Sequence, residues 1–183
     1  MVFITTALLT LLASTMVLAA PAAPATPAQL VEERAGAPSN FKIFAGLNPY
    51  SPKPQTFVVD VKDGNFANGT PLQLWQSYPG NPNQVFDFSQ LPTIRPVGHT
   101  NLCLDAGSNP TDGSRVHLWQ CYDGLPQQAW EQVSRDRFSK YLKLKNAELC
   151  LDVTDGNWAN GNELQVWSCG QYNINQQFQA GSA

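Results

Sequence analysis

The chain has 183 residues and a net charge of −3, and charged residues make up only 14% of it. This is below the ~25% that is usual for soluble domains. Since Lys and Arg are few and not clustered, the composition argues against a nucleic-acid partner or an anionic membrane surface. We therefore expect a neutral partner.

The N-terminal part of the chain differs in composition from the rest. Residues 1–19 carry no charge and are mostly apolar, which predicts a secretory signal peptide rather than a membrane span. Val17 and Ala19 fit the small-residue cleavage rule. Residues 20–39 are rich in Ala and Pro and cannot build a core, so we expect a disordered propeptide or linker. A domain over residues 40–183 is then expected in a secreted, extracellular protein, without membrane insertion of its mature form.

From residue 40 onward, short β-rich segments alternate with turn dipeptides. Four segments show the period of a strand: Phe41–Phe44, Thr56–Val59, Tyr141–Leu144 and Leu164–Trp167. Five dipeptides combine Asp or Asn with Gly, as tight turns do: Asp63-Gly64, Asn68-Gly69, Asp112-Gly113, Asp155-Gly156 and Asn160-Gly161. No segment has convincing helical periodicity. About 12 strands in three units predict a closed all-β architecture without exposed edges.

One pattern occurs three times along the chain. An Asp is followed after 14 or 15 residues by a Trp, and the Trp is followed after nine residues by a Gln: Asp60, Trp75 and Gln84; Asp105, Trp119 and Gln128; Asp152, Trp167 and Gln176. The copies lie 44 to 48 residues apart. A period of this length is typical of repeat architectures. We place the three repeats at about residues 41–90, 91–134 and 138–180.

The cysteines follow the same alignment. In the second and third repeats they lie two residues before the Asp and two residues after the Trp: Cys103, Cys121, Cys150 and Cys169. The first repeat has Val58 and Ser77 in these places, so both partners are absent together. This pattern predicts the disulfides Cys103–Cys121 and Cys150–Cys169, which export permits. A zinc site is the alternative, but no C-x₂-C spacing is present. We expect neither a metal nor a cofactor.

The repeated Gln-x-(Trp/Phe) motif, preceded by Leu-Trp-x-Cys and by Leu-Asp, resembles that of the ricin-B-type (R-type) β-trefoil lectins. The resemblance covers essentially all of residues 41–180. It implies an all-β trefoil: three four-stranded repeats with pseudo-threefold symmetry, which form a six-stranded barrel capped by three hairpins. It also implies carbohydrate binding, often of galactose or N-acetylgalactosamine, at one shallow site per repeat, and it implies no catalysis.

The sugar-binding residues that the resemblance implies are complete in two repeats. They are an Asp, a Gln two residues before an aromatic residue, that aromatic residue, an Asn and the motif Gln. The first repeat has Asp60, Gln73, Trp75, Asn83 and Gln84; the third has Asp152, Gln165, Trp167, Asn175 and Gln176. A carboxylate accepts hydrogen bonds from two adjacent hydroxyls, and an indole packs on the C–H face of a sugar. We therefore expect binding through these two repeats.

The second repeat departs from this set. It keeps Asp105 and Trp119, but His117 replaces the Gln and Gln127 replaces the Asn. Its turn, Gly107–Gly113, is one residue shorter than the others. One acceptor and one stacking face are too little to offset ordering and desolvation. We therefore expect a weak or degenerate site.

Other residues of the pattern have structural interpretations. The aromatic residue two positions after each motif Gln is expected in the core: Phe86, Trp130 and Phe178. Phe66 and Trp158 occupy equivalent turns and are expected to pack within the loops. Asn68 begins an Asn-Gly-Thr sequon in a turn that should be exposed, so it is a possible N-glycosylation site.

The sequence favours a binding protein over an enzyme, and three binding roles are open. His99 and His117 are the only candidate imidazole bases, and neither lies in a Ser/His/Asp or metal-ligand pattern, so we do not expect an enzyme. A free-standing lectin with glycans or glycoconjugates as partners is the leading hypothesis. The same fold serves as the polysaccharide-binding module of secreted hydrolases, with a plant-type polysaccharide such as xylan as partner. It also serves as a protease inhibitor, which fold analogy alone supports.

Overall fold

The computed structural model describes residues 40–46, 57–134 and 140–183. The predicted signal peptide and linker lie outside these residues. Across the described ranges the only helical segments are five 3-10 turns of three residues each: Lys62–Gly64, Pro82–Gln84, Pro126–Gln128, Thr154–Gly156 and Ile174–Gln176. None of them is long enough to cross a membrane. The rest of the regular structure is β-strand, as predicted.

In the described part of the chain, twelve strands follow one another in three sets of four. The first set is β1 (Asn40–Ala45), β2 (Phe57–Val61), β3 (Leu72–Gln76) and β4 (Phe86–Asp87). The second set is β5 (Arg95–Pro96), β6 (Leu102–Asp105), β7 (His117–Gln120) and β8 (Trp130–Ser134). The third set is β9 (Lys140–Leu144), β10 (Leu149–Val153), β11 (Asn162–Ser168) and β12 (Phe178–Ser182). The four segments predicted from alternation coincide with β1, β2, β9 and β11, apart from Thr56, which lies outside the described residues.

Six of the strands form a barrel: β1, β4, β5, β8, β9 and β12. Antiparallel ladders join β1 to β12 and to β4, β4 to β5, and β8 to β9. The backbone N–H of Trp130, at the start of β8, donates to Pro92 O at 2.7 Å beside β5, and β9 contacts β12. The first and last strands are thus neighbours, and the sheet closes on itself.

The remaining six strands form three hairpins with the same register. The Asp of each repeat faces the residue two positions before the Trp: Asp60 with Gln73, Asp105 with His117, and Asp152 with Gln165. The hairpins meet one another through β3 with β11 and through two isolated bridges, Pro71 with His117 and Arg115 with Gln165. This pseudo-threefold arrangement confirms the β-trefoil.

The core contains one large aromatic residue from each repeat. These residues are at most 1% exposed, as predicted: Phe86, Trp130 and Phe178. The two turn aromatics pack within the fold, which confirms the second part of the prediction. Phe66 stacks on His99 with ring centroids 3.7 Å apart, and Trp158 meets Phe57 edge-on at 6.3 Å.

Both predicted disulfides are confirmed. Cys103 is bonded to Cys121 and Cys150 to Cys169, so all four cysteines are paired. The first repeat has no cysteines, and a lysine from β1 bonds to the end of its hairpin instead. The Nζ of Lys42 donates to Ser77 Oγ at 3.1 Å and to Tyr78 O at 2.7 Å, which ties the end of the hairpin to the barrel.

Candidate functional site

A buried carboxylate lies at the centre of the first repeat's predicted site. Asp60 is only 4% exposed. Its Oδ1 accepts from Gln73 Nε2 at 2.9 Å, and its Oδ2 accepts from Gln84 Nε2 at 3.1 Å. Each oxygen keeps one further lone pair. The carboxylate is therefore fixed in orientation and can still accept two hydrogen bonds.

Gln84 anchors this carboxylate to the backbone. Its Nε2 also donates to Gln76 O at 2.8 Å, and its Oε1 accepts from the Tyr78 N–H at 3.0 Å. Since the Oε1 is already bonded to a donor, the amide must present its Nε2 to Asp60. Gln84 has no exposed surface and cannot touch a ligand. Within the predicted site, Gln84 therefore holds the Asp60 carboxylate in place.

The third repeat has the same arrangement. Asp152 is 4% exposed, and its Oδ1 accepts from Gln165 Nε2 at 2.9 Å. Gln176 is fully buried, and its Nε2 donates to Ser168 O at 3.1 Å. Its Oε1 accepts from the Gly170 N–H at 2.8 Å. Gln176 therefore lies beneath the predicted site, as Gln84 does. Gln73 and Gln165, also buried, hold the carboxylates from the neighbouring strand.

The predicted Asn of each site is held by two further residues. In the first repeat, Asn81 Oδ1 accepts from the Asn83 N–H at 3.1 Å. Gly64 lies against the Asn83 amide so closely that a Cβ there would be 3.0 Å from Asn83 Oδ1. In the third repeat, Asn173 Oδ1 accepts from the Asn175 N–H at 3.0 Å, and a Cβ on Gly156 would be 3.2 Å from Asn175 Nδ2. Sequence reasoning missed these supports, although the pattern Asn-x-Asn-Gln was a visible signal.

Each indole lies against the turn of a neighbouring repeat. A Cβ on the turn glycine would be 3.8 Å from the indole Cζ3 in three pairs: Gly161 with Trp75, Gly69 with Trp119, and Gly113 with Trp167. The residue before each glycine accepts from a backbone N–H beside the Trp, at 2.6 to 2.8 Å: Asn160 from Gln76, Asn68 from Gln120, and Asp112 from Ser168. Trp119 and Trp167 remain 40% and 43% exposed, and Trp75 is half-buried. The repeats therefore position each other's aromatic faces.

Asp105 of the second repeat has different partners. Its Oδ2 accepts from Gln128 Nε2 at 2.8 Å, as in the other repeats. Its Oδ1, however, accepts from the Gly107 N–H of its own turn at 2.6 Å. The Nε2 of His117 is 3.9 Å from the same oxygen, too far for a hydrogen bond. One half of this carboxylate therefore stabilises the turn.

The surface depressions of the second and third repeats also differ. That of the third repeat encloses about 180 Å³ and is lined by Asp152, Asp155, Gln165, Trp167, Asn173 and Asn175. That of the second repeat encloses about 220 Å³ and includes Asp105, Gly107, Ser108, His117, Trp119, Leu125 and Gln127. Leu125 thus stands where the other repeats have Asn81 or Asn173, whose side chains accept from the backbone N–H of the site asparagine.

Burial affects the two clamped carboxylates in the same way. It raises the pKa of Asp60 and of Asp152 above the ordinary value of 3.8, while the hydrogen bonds from their glutamine partners oppose the shift.

No three His, Cys, Asp or Glu side chains come together as metal ligands in the described part of the chain. The arrangement is suited to accepting hydrogen bonds from neutral donors.

Comparison with known proteins places this geometry in context. Residues 52–178 match the model of the ricin-type beta-trefoil lectin domain family. The designed threefold-symmetric protein ThreeFoil is 22% identical, with a TM-score of 0.63, over 79% of this chain and 99% of its own. The C-half of an earthworm R-type lectin, solved with GalNAc, is 22% identical, with a TM-score of 0.60, over 80% and 100%. The Macrolepiota procera ricin B-like lectin, solved with lactose, is 18% identical, with a TM-score of 0.58, over 79% and 95%. No curated protein sequence matched.

Proposed function

Because the chain belongs to the family of ricin-type β-trefoil lectin domains, we propose that it is a secreted, non-catalytic lectin for galactose- or N-acetylgalactosamine-type glycans. Binding takes place through the first and third repeats. The observation that carries the proposal is the pair of buried carboxylates, Asp60 and Asp152, each held by the glutamine opposite it on the neighbouring strand, near a tryptophan.

The hydrogen-bonded carboxylate supports binding because the folded protein already holds it in a fixed orientation. Asp60 needs no reordering to accept bonds from two adjacent sugar hydroxyls, which lowers the entropic cost of binding. Asn83 adds a donor and an acceptor, and the Trp75 face packs on the C–H groups of the ring. A shallow site of this kind gives a Kd on the order of 1 mM, about −4 kcal/mol.

Two such sites on one rigid body produce useful strength by avidity. When both repeats bind glycans on the same surface, the second binding event is intramolecular, and the overall affinity can rise about 10²–10⁴-fold. The choice of sugar is supported by the solved earthworm and Macrolepiota procera lectins, which hold GalNAc and lactose respectively. Their identity to this chain is low, so the sugar itself is part of the proposal.

Affinity chromatography of the secreted protein tests the proposal. We expect retention on galactose-agarose and elution by free galactose. The second candidate, binding of a plant-type polysaccharide, predicts retention on insoluble xylan and passage through the galactose column. Passage through both would refute carbohydrate binding of either kind. Mass spectrometry of the protein from the culture medium tests secretion, with a mature chain that lacks residues 1–19 as the expected result.

A further inference from the structure

The turn of the second repeat meets the segment before β8 differently from the equivalent turns. In the first repeat, Gly64 lies against the Asn83 amide, and the third repeat does the same. In the second repeat, the residue four positions after the Asp is Asn109, so the glycine that meets the site asparagine elsewhere is absent. Asn109 and Gln127 instead line a common hollow.

A groove of about 190 Å³ lies beside the second-repeat depression. Its walls come from the turn, the segment before β8 and the segment after β9: Asn109, Pro110, Pro126, Gln127, Asn146 and Ala147, with Leu144 at its base. Asn109 has a φ of 52°, although it precedes a proline. An asparagine in the left-handed region before proline is uncommon, and such conformations are retained where the fold or the function requires them.

The groove is continuous with the depression around Trp119 because Gln127 lines both. The backbone of Gln127 is fixed, since its carbonyl accepts from the Ala106 N–H at 3.0 Å. Its side chain is one methylene longer than that of Asn83. Gln127 thus places an amide at the boundary between the depression and the groove.

The chemistry of the groove fits a neutral, hydroxylated ligand. Three amide side chains supply both donors and acceptors, namely Asn109, Gln127 and Asn146. The apolar walls suit the C–H faces of a sugar ring. None of the residues that line the groove is charged. A charged ligand would therefore find no counter-charge there, whereas a neutral glycan would find partners for hydroxyls and for C–H groups alike.

We propose that the second repeat binds a neutral oligosaccharide through two adjoining subsites, one at Trp119 and Asp105 and the other in the groove. This inference rests on the proposed lectin function and extends it. A monosaccharide gains too little from the first subsite alone. A second residue on the same chain adds the groove contacts without a second loss of translational freedom, so binding requires a chain of at least two sugars.

Nuclear magnetic resonance of the ¹⁵N-labelled protein tests the groove. The probes are galactose, xylose, a hexasaccharide of N-acetyllactosamine and xylohexaose. We expect at least one hexasaccharide to shift the Trp119 indole N–H and the side-chain amides of Gln127 and Asn146 in a saturable way. Neither monosaccharide should move them. Hexasaccharide binding that leaves all three signals in place would overturn the proposal.

A matched pair of exposed asparagines separates a groove contact from a general effect. Asn146→Ala should weaken hexasaccharide binding at Trp119 roughly fivefold, the loss of one neutral hydrogen bond. Asn101→Ala, outside the groove, should leave it unchanged, and equal effects of the two variants would refute the groove. Galactose shifts at Trp75 and Trp167 report the proposed function separately, so their absence would refute that function and not the groove.

Discussion

The first and second repeats share their buried parts and differ at the surface. Gln128 bonds to Asp105 as Gln84 bonds to Asp60, with donor–acceptor distances of 2.8 and 3.1 Å. The difference is in the other carboxylate oxygen. It accepts from a strand side chain, Gln73, in the first repeat and from a turn N–H in the second. The motif Gln is therefore part of the trefoil framework, whereas the other residues around the carboxylate determine what the surface can bind.

A second difference follows from the length of the turn. The longer turns of the first and third repeats bring a glycine against the site asparagine, Asn83 or Asn175. In the shorter turn of the second repeat that place is taken by Asn109, which lines a groove together with Gln127. One deleted residue and the substitution by Gln127 thus change the surface of this repeat without disturbing the core.

Removal of both clamped carboxylates should have the greatest effect. We expect Asp60→Ala with Asp152→Ala to abolish retention on a dense galactose surface, because the avidity gain of about 10²–10⁴ is lost together with both sites. Each single variant should keep monovalent binding and lose most of the avidity. Surface plasmon resonance measures retention, and circular dichroism checks that the fold persists. The matched control is Asp105→Ala. Equal loss of monosaccharide binding in that variant would contradict the comparison.

The buried glutamines separate the fold from the site. Gln84→Ala removes three hydrogen bonds and Gln128→Ala removes their counterparts, so each should lower the free energy of unfolding by about 2–4 kcal/mol. Only Gln84→Ala should also weaken galactose binding, since it releases Asp60 while Gln128 holds a carboxylate that serves a turn. Urea unfolding and galactose titration of the two variants check this. Weakened binding after Gln128→Ala alone would reverse our assignment of the repeats.

Acidification should affect binding and stability in opposite directions. Because burial raises the pKa of Asp60 and Asp152, they take up protons at a higher pH than an ordinary aspartate with a pKa of 3.8. Galactose affinity should therefore fall up to about tenfold per pH unit below the raised pKa, since a protonated carboxyl loses an acceptor. Titrations from about pH 7 to about pH 4 measure this. Affinity that is constant down to the ordinary value would contradict it.

The stability change has the opposite sign. A carboxyl with a raised folded-state pKa is destabilising when ionised, and this cost is relieved as the pH falls through that pKa. The melting temperature of the native protein should therefore rise relative to that of the variant Asp60→Asn as the pH falls. The variant is the control, because its residue 60 does not titrate.

The sequence was sufficient for the features that depend on spacing. The distances from Asp60 to Trp75 and Gln84 recur along the chain, so three repeats, two disulfides and a core aromatic per repeat could be predicted from the period. The three hairpins were implied by the resemblance to the ricin-B-type lectins. The burial of Gln84 could not be predicted, since a polar residue beside a site is expected at the surface. The groove could not be predicted either. It depends on whether Asn109 approaches Gln127, and these residues are distant in the chain.

Titration with galactose, followed through the indole N–H signals, tests the account most directly. The three tryptophans Trp75, Trp119 and Trp167 occupy equivalent positions on their hairpins, so each reports one repeat of the same molecule. We predict saturable shifts at Trp75 and Trp167, with a Kd on the order of 1 mM, and no shift at Trp119. A saturable shift at Trp119 of comparable affinity would show that the second repeat binds single sugars and would contradict the account.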